Sequence, residues 1–574
     1  MKVIDRRVGW LFVVFIGLLT IALVRALWLG GVQSDQLKQA AFNEQVQTEN
    51  VPAQRGEITD TSGTPLALSE SVDDVIADPY LITRDHDARA MADALAPVLG
   101  IKAHDILATL TDVKAGGYSP VAMKVAPEVA QRAMKLTVGG KPINGLSVEP
   151  DTKRVYTRPW ELSQVLGYLG GDGTGVSGLE YRFNHLLSGV NGKRQVIDNP
   201  STGEPISIRT VRHVKQGSSL QLTVSSPLQS EVEQVLAGVG REWQPKFATA
   251  IVMNPKTGAI LADGNWPRVN DNDPYAGAPV STIDNAIQDH AVSFTYEPGS
   301  TFKAITVAGA LQDHLITPDT MFTVPPQLSA YGKVVTDAEP HGYVDYSTSQ
   351  ILKYSSNIGA DLIGAKLGPD RFNHWVHRFG LGRSTGSDLS GEANGYILDP
   401  SQYNGVSMLN LPFGQGEAVT PLQMANAYAA IANGGVLRAP HIVKAIGGQP
   451  KPLPRGHRIL SADTAAQIRD MLRGVLADGG TASGAAIPGY DLAGKTGTAE
   501  VAVNGKYSKT QFVASFIGMV PANNPKLVVA VVVDDPHGNI YGGSVAAPAF
   551  QKIVGWAVPY LGINPNPDHA ATGS

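Results

Sequence analysis

Residues 304–311 are apolar almost throughout, and this stretch constrains the fold more than any other part of the sequence. A helix that is apolar on every face is normally buried, so the sequence predicts a helix enclosed by a large domain. Ser300 would open this helix, and Lys303 would lie one turn in on the same face. Removal from water lowers the pKa of a lysine, and a neutral amine beside a hydroxyl can take its proton. The pattern therefore indicates an activated serine nucleophile.

Two further short motifs follow this serine, and each alone is a weak signal. Ser355 and Asn357 form a Ser-x-Asn motif before an apolar helix that begins at Ile358, and Lys495 opens a Lys-Thr-Gly sequence that leads into a strand. In isolation such motifs are more often helix caps, turns and surface lysines. Their order and their helix, helix and strand settings favour one shared site.

Composition excludes several classes of function. The chain has 574 residues, which by length alone suggests roughly three or four domains. Its net charge of −5 argues against a nucleic-acid-binding protein. Because the sequence has no cysteine, disulfides, thiolate catalysis and cysteine-based metal sites are excluded, as in many exported bacterial domains. The 13 histidines include no H-E-x-x-H motif, and we expect neither a metal nor a cofactor.

The N-terminus predicts a membrane anchor. Residues 8–29 are almost wholly apolar, and about 20 such residues span a bilayer as a helix. Lys2, Arg6 and Arg7 precede the span, which places residues 1–7 in the cytoplasm and the rest of the chain outside it. A cleaved signal peptide is the alternative, but its apolar core is usually shorter and a small-x-small cleavage site would follow. Residues 34–51 read as a polar helix or a juxtamembrane linker.

The C-terminal half has the pattern of a sheet that brackets a helical region. Two early strands and three late ones are predicted, at residues 248–253, 259–262, 498–501, 511–520 and 527–533. Asn504-Gly505 is a strong hairpin signal between two of the late strands. From Ser300 to about Asn433 the chain reads as mainly helical, and residues 546–558 read as a closing helix. The fold class is therefore multidomain α+β.

Residues 173–178 match the pattern G-x-G-x-x-G of dinucleotide-binding sites. Such a site requires a buried strand immediately before the glycines. Residues 162–169 read better as a helix, so a structural glycine turn is predicted instead.

The ordered motifs around Ser300, Ser355 and Lys495 resemble those of the class B penicillin-binding proteins, and within them the FtsI-type division transpeptidases. The resemblance runs from the anchor to about residue 558. Motifs of the N-terminal half agree as well: Arg55-Gly56 with Asp60 and Gly63, Arg154 with Tyr156, and Gly178-Leu179-Glu180. Two positions depart from the family pattern, Thr157 where proline is common and Thr61 where arginine is frequent, which weakens the subfamily assignment rather than the chemistry.

This resemblance implies a single transmembrane helix at 8–29, an elongated α/β pedestal or dimerisation-like domain at 30–220, and a transpeptidase domain at 221–560. The last would be a five-stranded antiparallel sheet flanked by helices, with a helical subdomain, as in serine β-lactamases. Residues 561–574 are predicted to be a disordered tail. Arg55, Gly56, Arg154 and Glu180 would be structural residues of the pedestal, and we expect Arg55 and Glu180 to form a buried ion pair.

The resemblance also implies a role for each motif residue. Ser300 would attack the penultimate D-Ala carbonyl of a peptidoglycan stem peptide, with Lys303 as its base. Ser355 would relay the proton to the leaving D-Ala, and Asn357 would orient Lys303 and the substrate amide. The substrate-binding residues would be Lys495 for the terminal carboxylate, Gly497 within the same motif, and the hydroxyl donors Thr496 and Thr498. The backbone N–H groups of Ser300 and Thr498 would form the oxyanion hole.

The partners implied are stem peptides that end in D-Ala-D-Ala, β-lactam antibiotics, membrane lipid, a polytopic glycosyltransferase of the FtsW type and other division proteins, but no nucleic acid. The expected location is the inner membrane, with the catalytic domain outside the cytoplasm. Four alternatives remain open at this point: an elongation-type transpeptidase, a D,D-carboxypeptidase, a β-lactamase-like hydrolase and a β-lactam sensor.

Overall fold

The structure is a computed structural model that describes residues 2–32, 46–85, 87–115, 117–198, 205–276, 280–503 and 505–565. Their contacts divide the chain into two compact units. The first comprises Met1–Gln54, Glu70–Lys153 and Gly189–Gly217, and the second Arg55–Ser69, Arg154–Ser188 and Ser218–Ser574. The chain therefore passes back and forth between the units before it completes the second.

The chain begins with the predicted apolar helix, Lys2–Leu27, which continues as a π-helical turn, Trp28–Val32. Within it, Val8–Gly31 has a mean hydropathy of 2.4 and is long enough to cross a bilayer. Its large apolar side chains are exposed, as lipid-facing side chains would be. The prediction of a polar helix or linker at 34–51 is wrong for its last residues, because Val46–Val51 form a strand, and residues 34–45 lie outside the described part of the chain.

Besides the N-terminal apolar helix, the described residues of the first unit form antiparallel sheets and several helices. Val46–Val51, Gly192–Asp198 and Pro205–Arg212 form a three-stranded antiparallel sheet. In the second sheet the strand Pro65–Ala77, of which residues 70–77 belong to this unit, pairs with Ser119–Val125 and with Leu146–Tyr156. The helices Pro79–Asp85, Ala88–Leu99, Ala103–Thr111 and Pro127–Met134 contribute to a core that includes Val75, Met91 and Ile106, and a short hairpin joins Thr137–Val138 to Lys141–Pro142.

The central sheet of the second unit has five antiparallel strands. Their order is Ile260–Trp266, Phe247–Met253, Leu527–Asp534, Lys506–Val520 and Ala493–Val503. The prediction of two early and three late strands is confirmed, and the Lys-Thr-Gly sequence lies on the last strand, at the edge of the sheet.

Both faces of this sheet are buried. Along Leu527–Asp534, residues 528, 530 and 532 pack into one core, and residues 529, 531 and 533 pack into another. This alternation is the period of a strand with side chains on both faces. The core that contains residues 529, 531 and 533 is covered by the helices Ser226–Trp243 and Gly542–Tyr560. The core on the opposite face includes residues of the helices Lys303–Gln312, Asn357–Arg378, Pro421–Ala432 and Ala462–Arg473.

The prediction of a mainly helical region from Ser300 to Asn433 is wrong in part. Four short strands, Met321–Val324, Leu328–Ala330, Lys333–Val335 and Val344–Ser347, form two antiparallel pairs there. Burial alternates along Met321–Val324, which is the strand period that the sequence reading overlooked. From residue 379 to 420 the helical elements are short 3-10 turns, at Pro400–Gln402, Ser407–Leu409 and Leu411–Phe413, and isolated bridges pair Tyr396 with Ala418 and Tyr296 with Val419.

The remaining elements of the second unit are short. Its helices are Ser163–Leu166, Gly178–Arg182, Asn184–Leu187, Val280–Ala286, His290–Ser293 and Thr348–Tyr354. Leu220–Leu222 pairs with Ile58–Thr59 and with Val443–Ile446, which pairs with Gln449–Pro450, and Val436–Leu437 pairs with His457–Arg458. Residues 173–175 lie in a turn closed by a bridge between Leu169 and Gly175, as predicted for a structural turn rather than a dinucleotide site.

Candidate active site

The nucleophile segment forms a tighter turn than predicted. Gly299–Phe302 is a 3-10 turn, and the α-helix proper begins at Lys303. Residues three apart eclipse each other in 3-10 geometry, and the Lys303 Nζ lies 3.0 Å from the Ser300 Oγ. Ser300 itself is half-buried, so its hydroxyl is next to the lysine and still within reach of a substrate.

Lys303 is fully buried, and its amine contacts three acceptors besides Ser300. Nζ donates to the Ser355 backbone oxygen at 2.6 Å, to the Asn357 Oδ1 at 2.7 Å and to the Ser355 Oγ at 3.3 Å. Burial lowers the pKa of Lys303 from 10.5 to about 7, although Asp337 and Asp361 act in the opposite direction. The lysine can therefore lose and regain a proton near neutral pH, as a general base must.

The Ser-Ser-Asn motif forms a sharp corner between two helices. The helix Thr348–Tyr354 ends at Ser355, which adopts the left-handed conformation with φ +60°. Ser356 then caps the next helix by accepting a hydrogen bond from the Gly359 N–H, so that Asn357 is its first residue. This corner turns the Ser355 hydroxyl and the Asn357 amide towards Lys303 together.

Asp337 holds this corner in place, and no motif in the sequence singles it out. Its Oδ1 accepts hydrogen bonds from the N–H groups of Asn357, at 2.6 Å, and Ile358, at 3.0 Å. Its Oδ2 lies 3.0 Å from the His341 Nε2. Hydrogen bonds to the Gly342 carbonyl and to Asp337 raise the pKa of this histidine, against a smaller opposing effect of burial. A carboxylate at a helix N-terminus is stabilised by the free N–H groups and the helix dipole.

Lys495 places a second buried amine beside the same serine. It is fully buried, and its Nζ donates to the Ser355 Oγ at 2.9 Å. Burial and the neighbouring Lys303 both lower the pKa of Lys495 well below its usual value. The Ser355 hydroxyl therefore lies between two amines, which gives a continuous path of polar atoms from Ser300 to the edge strand.

The edge strand approaches the nucleophile turn closely. A Cβ at Gly497 would lie 2.3 Å from the Ser515 Oγ and 3.1 Å from the Pro298 backbone oxygen, so only glycine fits there. A Cβ at Gly299 would lie 3.2 Å from the Thr498 backbone oxygen, which places the backbone of residues 299 and 498 side by side.

The threonines of this strand make their own contacts. The Thr496 Oγ1 is 2.8 Å from the Thr481 Oγ1, and the Thr498 Oγ1 accepts a hydrogen bond from the Gly542 N–H at 3.1 Å. Each hydroxyl has further hydrogen-bonding capacity beyond these contacts.

A second ordered cluster in this unit surrounds Glu180, which is fully buried. The Arg55 Nε lies 2.5 Å from its Oε2, and the Arg154 Nε lies 2.7 Å from its Oε1. Arg154 also donates to the Gly56 backbone oxygen at 2.9 Å. The predicted pairing of Arg55 with Glu180 is confirmed, and Arg154 is a second partner that the sequence reading did not assign. All four residues belong to the unit that contains Ser300.

The sequence also matches known families over most of its length. Residues 248–555 match the family described as the penicillin binding protein transpeptidase domain, and residues 50–222 match the penicillin-binding protein dimerisation domain. The chain belongs to the class B penicillin-binding proteins. Within this class B protein, the transpeptidase match contains Ser300, Ser355 and Lys495, so the site described above lies in the catalytic domain.

Individual relatives cover nearly the whole of this penicillin-binding protein. The peptidoglycan D,D-transpeptidase FtsI of Escherichia coli K12 is 29% identical over 97% of this chain and 93% of its own length. The stage V sporulation protein D of Bacillus subtilis is 31% identical over 97% of this chain and 86% of its own. The structure of penicillin-binding protein 3 from Mycobacterium tuberculosis in complex with ampicillin matches this one with a TM-score of 0.71 at 28% sequence identity. The match covers 92% of this chain and 98% of the solved chain.

Proposed function

We propose that this protein is a peptidoglycan D,D-transpeptidase that cross-links stem peptides through an acyl-enzyme on Ser300. The observation that carries the proposal is the 3.0 Å contact between the Ser300 Oγ and the fully buried Lys303 amine. Burial holds the pKa of that amine at about 7, so a large fraction is neutral at physiological pH and able to act as a base. Relatives named D,D-transpeptidases support the same chemistry.

In the acylation step, a bond forms between the Ser300 Oγ and the carbonyl carbon of the penultimate D-Ala, and the peptide bond to the terminal D-Ala breaks. The Ser300 proton goes to Lys303. Ser355 passes a proton to the departing amine, a role supported by its contacts with Lys303 at 3.3 Å and Lys495 at 2.9 Å. An amine of a neighbouring stem peptide then attacks the ester, which closes the cross-link and returns the proton to the serine.

Residues on the edge strand would bind the donor peptide. Lys495 supplies positive potential for its terminal carboxylate, and Thr496 and Thr498 offer hydroxyl donors. An edge strand has unpaired backbone groups that an extended peptide can join. The backbone N–H groups of Ser300 and Thr498 would stabilise the oxyanion, and the close approach of residue 299 to Thr498 supports this role. Asn357, which contacts the Lys303 amine at 2.7 Å, would orient that amine.

The location and biological role are also proposed. The apolar helix Val8–Gly31 would cross the inner membrane once, with residues 1–7 in the cytoplasm because they are basic, and with the catalytic domain outside. The resemblance to FtsI-type division transpeptidases implies work at the division septum, and relatives named FtsI agree with that subfamily. The partners there would include a polytopic glycosyltransferase of the FtsW type. We propose 30–220 as the pedestal domain and 221–560 as the catalytic domain, limits supported by the matches at 50–222 and 248–555.

The test is labelling of intact membranes with a fluorescent penicillin, followed by mass mapping of the adduct. Wild type should be labelled on Ser300, and Ser300→Ala should not be labelled, because the nucleophile is absent. Ser329→Ala, which removes an exposed serine of the strand Leu328–Ala330, is the matched control and should be labelled normally. An adduct on another residue would overturn the assignment.

A second measurement separates the transpeptidase from a hydrolase. With labelled stem peptides, a transpeptidase forms cross-linked dimers as it releases D-Ala. Release of D-Ala without any dimer would identify a carboxypeptidase instead.

A further inference from the structure

Glu500 is the last residue of the regular part of the edge strand Ala493–Val503. Residues 493–500 pair continuously with the neighbouring strand, and Glu500 lies opposite Phe512. The pairing register then breaks between Glu500 and Ala502. An extended peptide that joins the open edge of this strand can therefore keep regular backbone pairing only as far as Glu500.

The period of the strand places Glu500 on the same face as Thr496 and Thr498, because successive side chains of a strand point to opposite faces. In the proposed function, the terminal carboxylate of the donor peptide lies near Lys495 and Thr496, and the penultimate carbonyl lies at the Thr498 N–H. The donor thus runs antiparallel to the strand. An extended chain rises about 3.3 Å per residue, so the donor residue that precedes the two D-Ala residues comes next to Glu500.

The hairpin that follows the edge strand is tied to the nucleophile segment. The Tyr507 hydroxyl donates to the Glu297 Oε1 at 3.2 Å, and the Gly416 N–H donates to the same oxygen at 3.1 Å. Glu297 lies three residues before Ser300 in the chain. These contacts hold the end of the edge strand, with Glu500, in a fixed place beside the nucleophile.

Three charged groups act on one another at this end of the strand: Glu297, Glu500 and the Lys333 amine. The Glu297 Oε1 is occupied by the contacts above, and its Oε2 is enclosed by protein atoms. The Lys333 amine contacts the Asn410 Oδ1. Glu500 is half-exposed and makes no hydrogen bond or ion pair within the part of the chain that the structure describes, so its carboxylate is free to bind a cation.

We propose that Glu500 is a specificity residue that binds the side-chain ammonium of the donor stem peptide, on the residue that precedes its two D-Ala residues. The inference rests on the proposed function, which supplies the register of the peptide along the strand. That reaction also requires the amine: a stem peptide is the acceptor through an amine, and donor and acceptor are copies of one kind of peptide. An ammonium beside this carboxylate forms an ion pair that selects donors with a free amine.

The test uses two penicillins that differ by one charge. Each is aminopenicillanic acid acylated with a lysine whose α-amine is acetylated, so that the lysine takes the place of the donor residue before the reacting carbonyl. In one penicillin the side-chain amine is free, and in the other it is acetylated. The second-order rate of acylation is measured for both with the full-length protein in detergent, by mass spectrometry of the Ser300 adduct.

Wild type should react about two to five times faster with the free amine, which is the effect of a partly exposed ion pair. The ratio of the two rates should fall towards one at high salt, because salt screens exposed charges. Glu500→Gln keeps the shape of the side chain and removes its charge, so the ratio should fall to about one. Both rates come from the same sample, and a loss of folded protein therefore cancels in the ratio.

Glu242→Gln is the matched control. Glu242 is an exposed acid of the helix Ser226–Trp243, which packs against Ile260–Trp266, the strand at the opposite edge of the sheet. Its removal changes the net charge by the same amount at a distance from the site, so the wild-type ratio should be retained.

A ratio of about one for wild type would overturn the inference, because the amine would then not be recognised. A Glu500→Gln protein that retains the wild-type ratio would overturn it as well, since another group would bind the amine. If Glu500→Gln does not fold, the salt dependence of wild type decides, and a ratio that salt leaves unchanged excludes the ion pair. If neither penicillin acylates Ser300, the proposed function fails, and that outcome is distinct from equal rates with both.

Discussion

Replacement of Lys303 by arginine tests whether this residue is a base or only a positive charge. Arginine retains a positive charge and a long side chain, but its guanidinium does not lose its proton in a protein. If Lys303 contributed only charge, Lys303→Arg would keep much of the acylation rate. We expect instead that acylation falls by about 10²–10⁴, which is the usual contribution of general acid–base catalysis.

The structure also predicts a cost in stability. Burial lowers the pKa of Lys303 from 10.5 to about 7, and at about 1.4 kcal/mol per pKa unit this disfavours a buried cation here by roughly 5 kcal/mol. Arginine cannot avoid that cost by deprotonation. Lys303→Met is the matched variant, because it fills the site without a charge. Both variants should lose acylation, but Lys303→Arg should melt at the lower temperature.

The assay is the second-order rate of acylation by a fluorescent penicillin, with circular dichroism to show that each variant is folded. Non-covalent binding of the β-lactam, measured in parallel, separates a lost base from a lost binding site. A folded Lys303→Arg protein within about tenfold of wild type would rule out the base, since tenfold is only about 1.4 kcal/mol of activation free energy.

Three further outcomes are expected. The acylation rate should rise with pH through about 7, where Lys303 loses its proton, and then level off. Because the lysine of the unfolded chain keeps its proton up to about 10.5, this residue should also make the fold more stable as the pH rises from about 7 to 10.5, which denaturant unfolding at several pH values would measure. Arg55→Ala should cost about 3–5 kcal/mol of unfolding free energy, because it breaks a buried ion pair. Arg194→Ala, whose ion pair with Glu49 is partly exposed on both sides, should cost little by the same unfolding measurement. Protease added to intact spheroplasts should digest most of the chain if the catalytic domain lies outside, and full protection would contradict this topology.

The site could be predicted from the sequence because its chemistry is carried by short motifs with rigid local geometry. Ser300 and Lys303 are one turn apart, so their contact follows from the local structure alone. The contact between Lys303 and Asn357 joins distant segments and could be expected only from the resemblance to a family. The sheet was predictable for a related reason, since its strands are long and strongly apolar.

What the sequence reading missed depends on the fold rather than on local pattern. The four short strands between residues 321 and 347 contain too few residues for a periodic signal to stand out. Asp337 caps a helix that begins 20 residues later in the chain, and nothing near it in sequence indicates this. Asp361 did have a signal, a single acid in an apolar helix, which sequence analysis passed over.

The left-handed conformation of Ser355 has a consequence for how this protein tolerates change. A non-glycine residue at φ +60° is held in a backbone conformation that costs on the order of 1 kcal/mol or more. Glycine adopts this conformation freely, so Ser355→Gly should relieve the backbone while removing the hydroxyl that both buried lysines contact. A search for heat-resistant variants would thus tend to select an inactive protein at this position, because stability and chemistry favour different residues there.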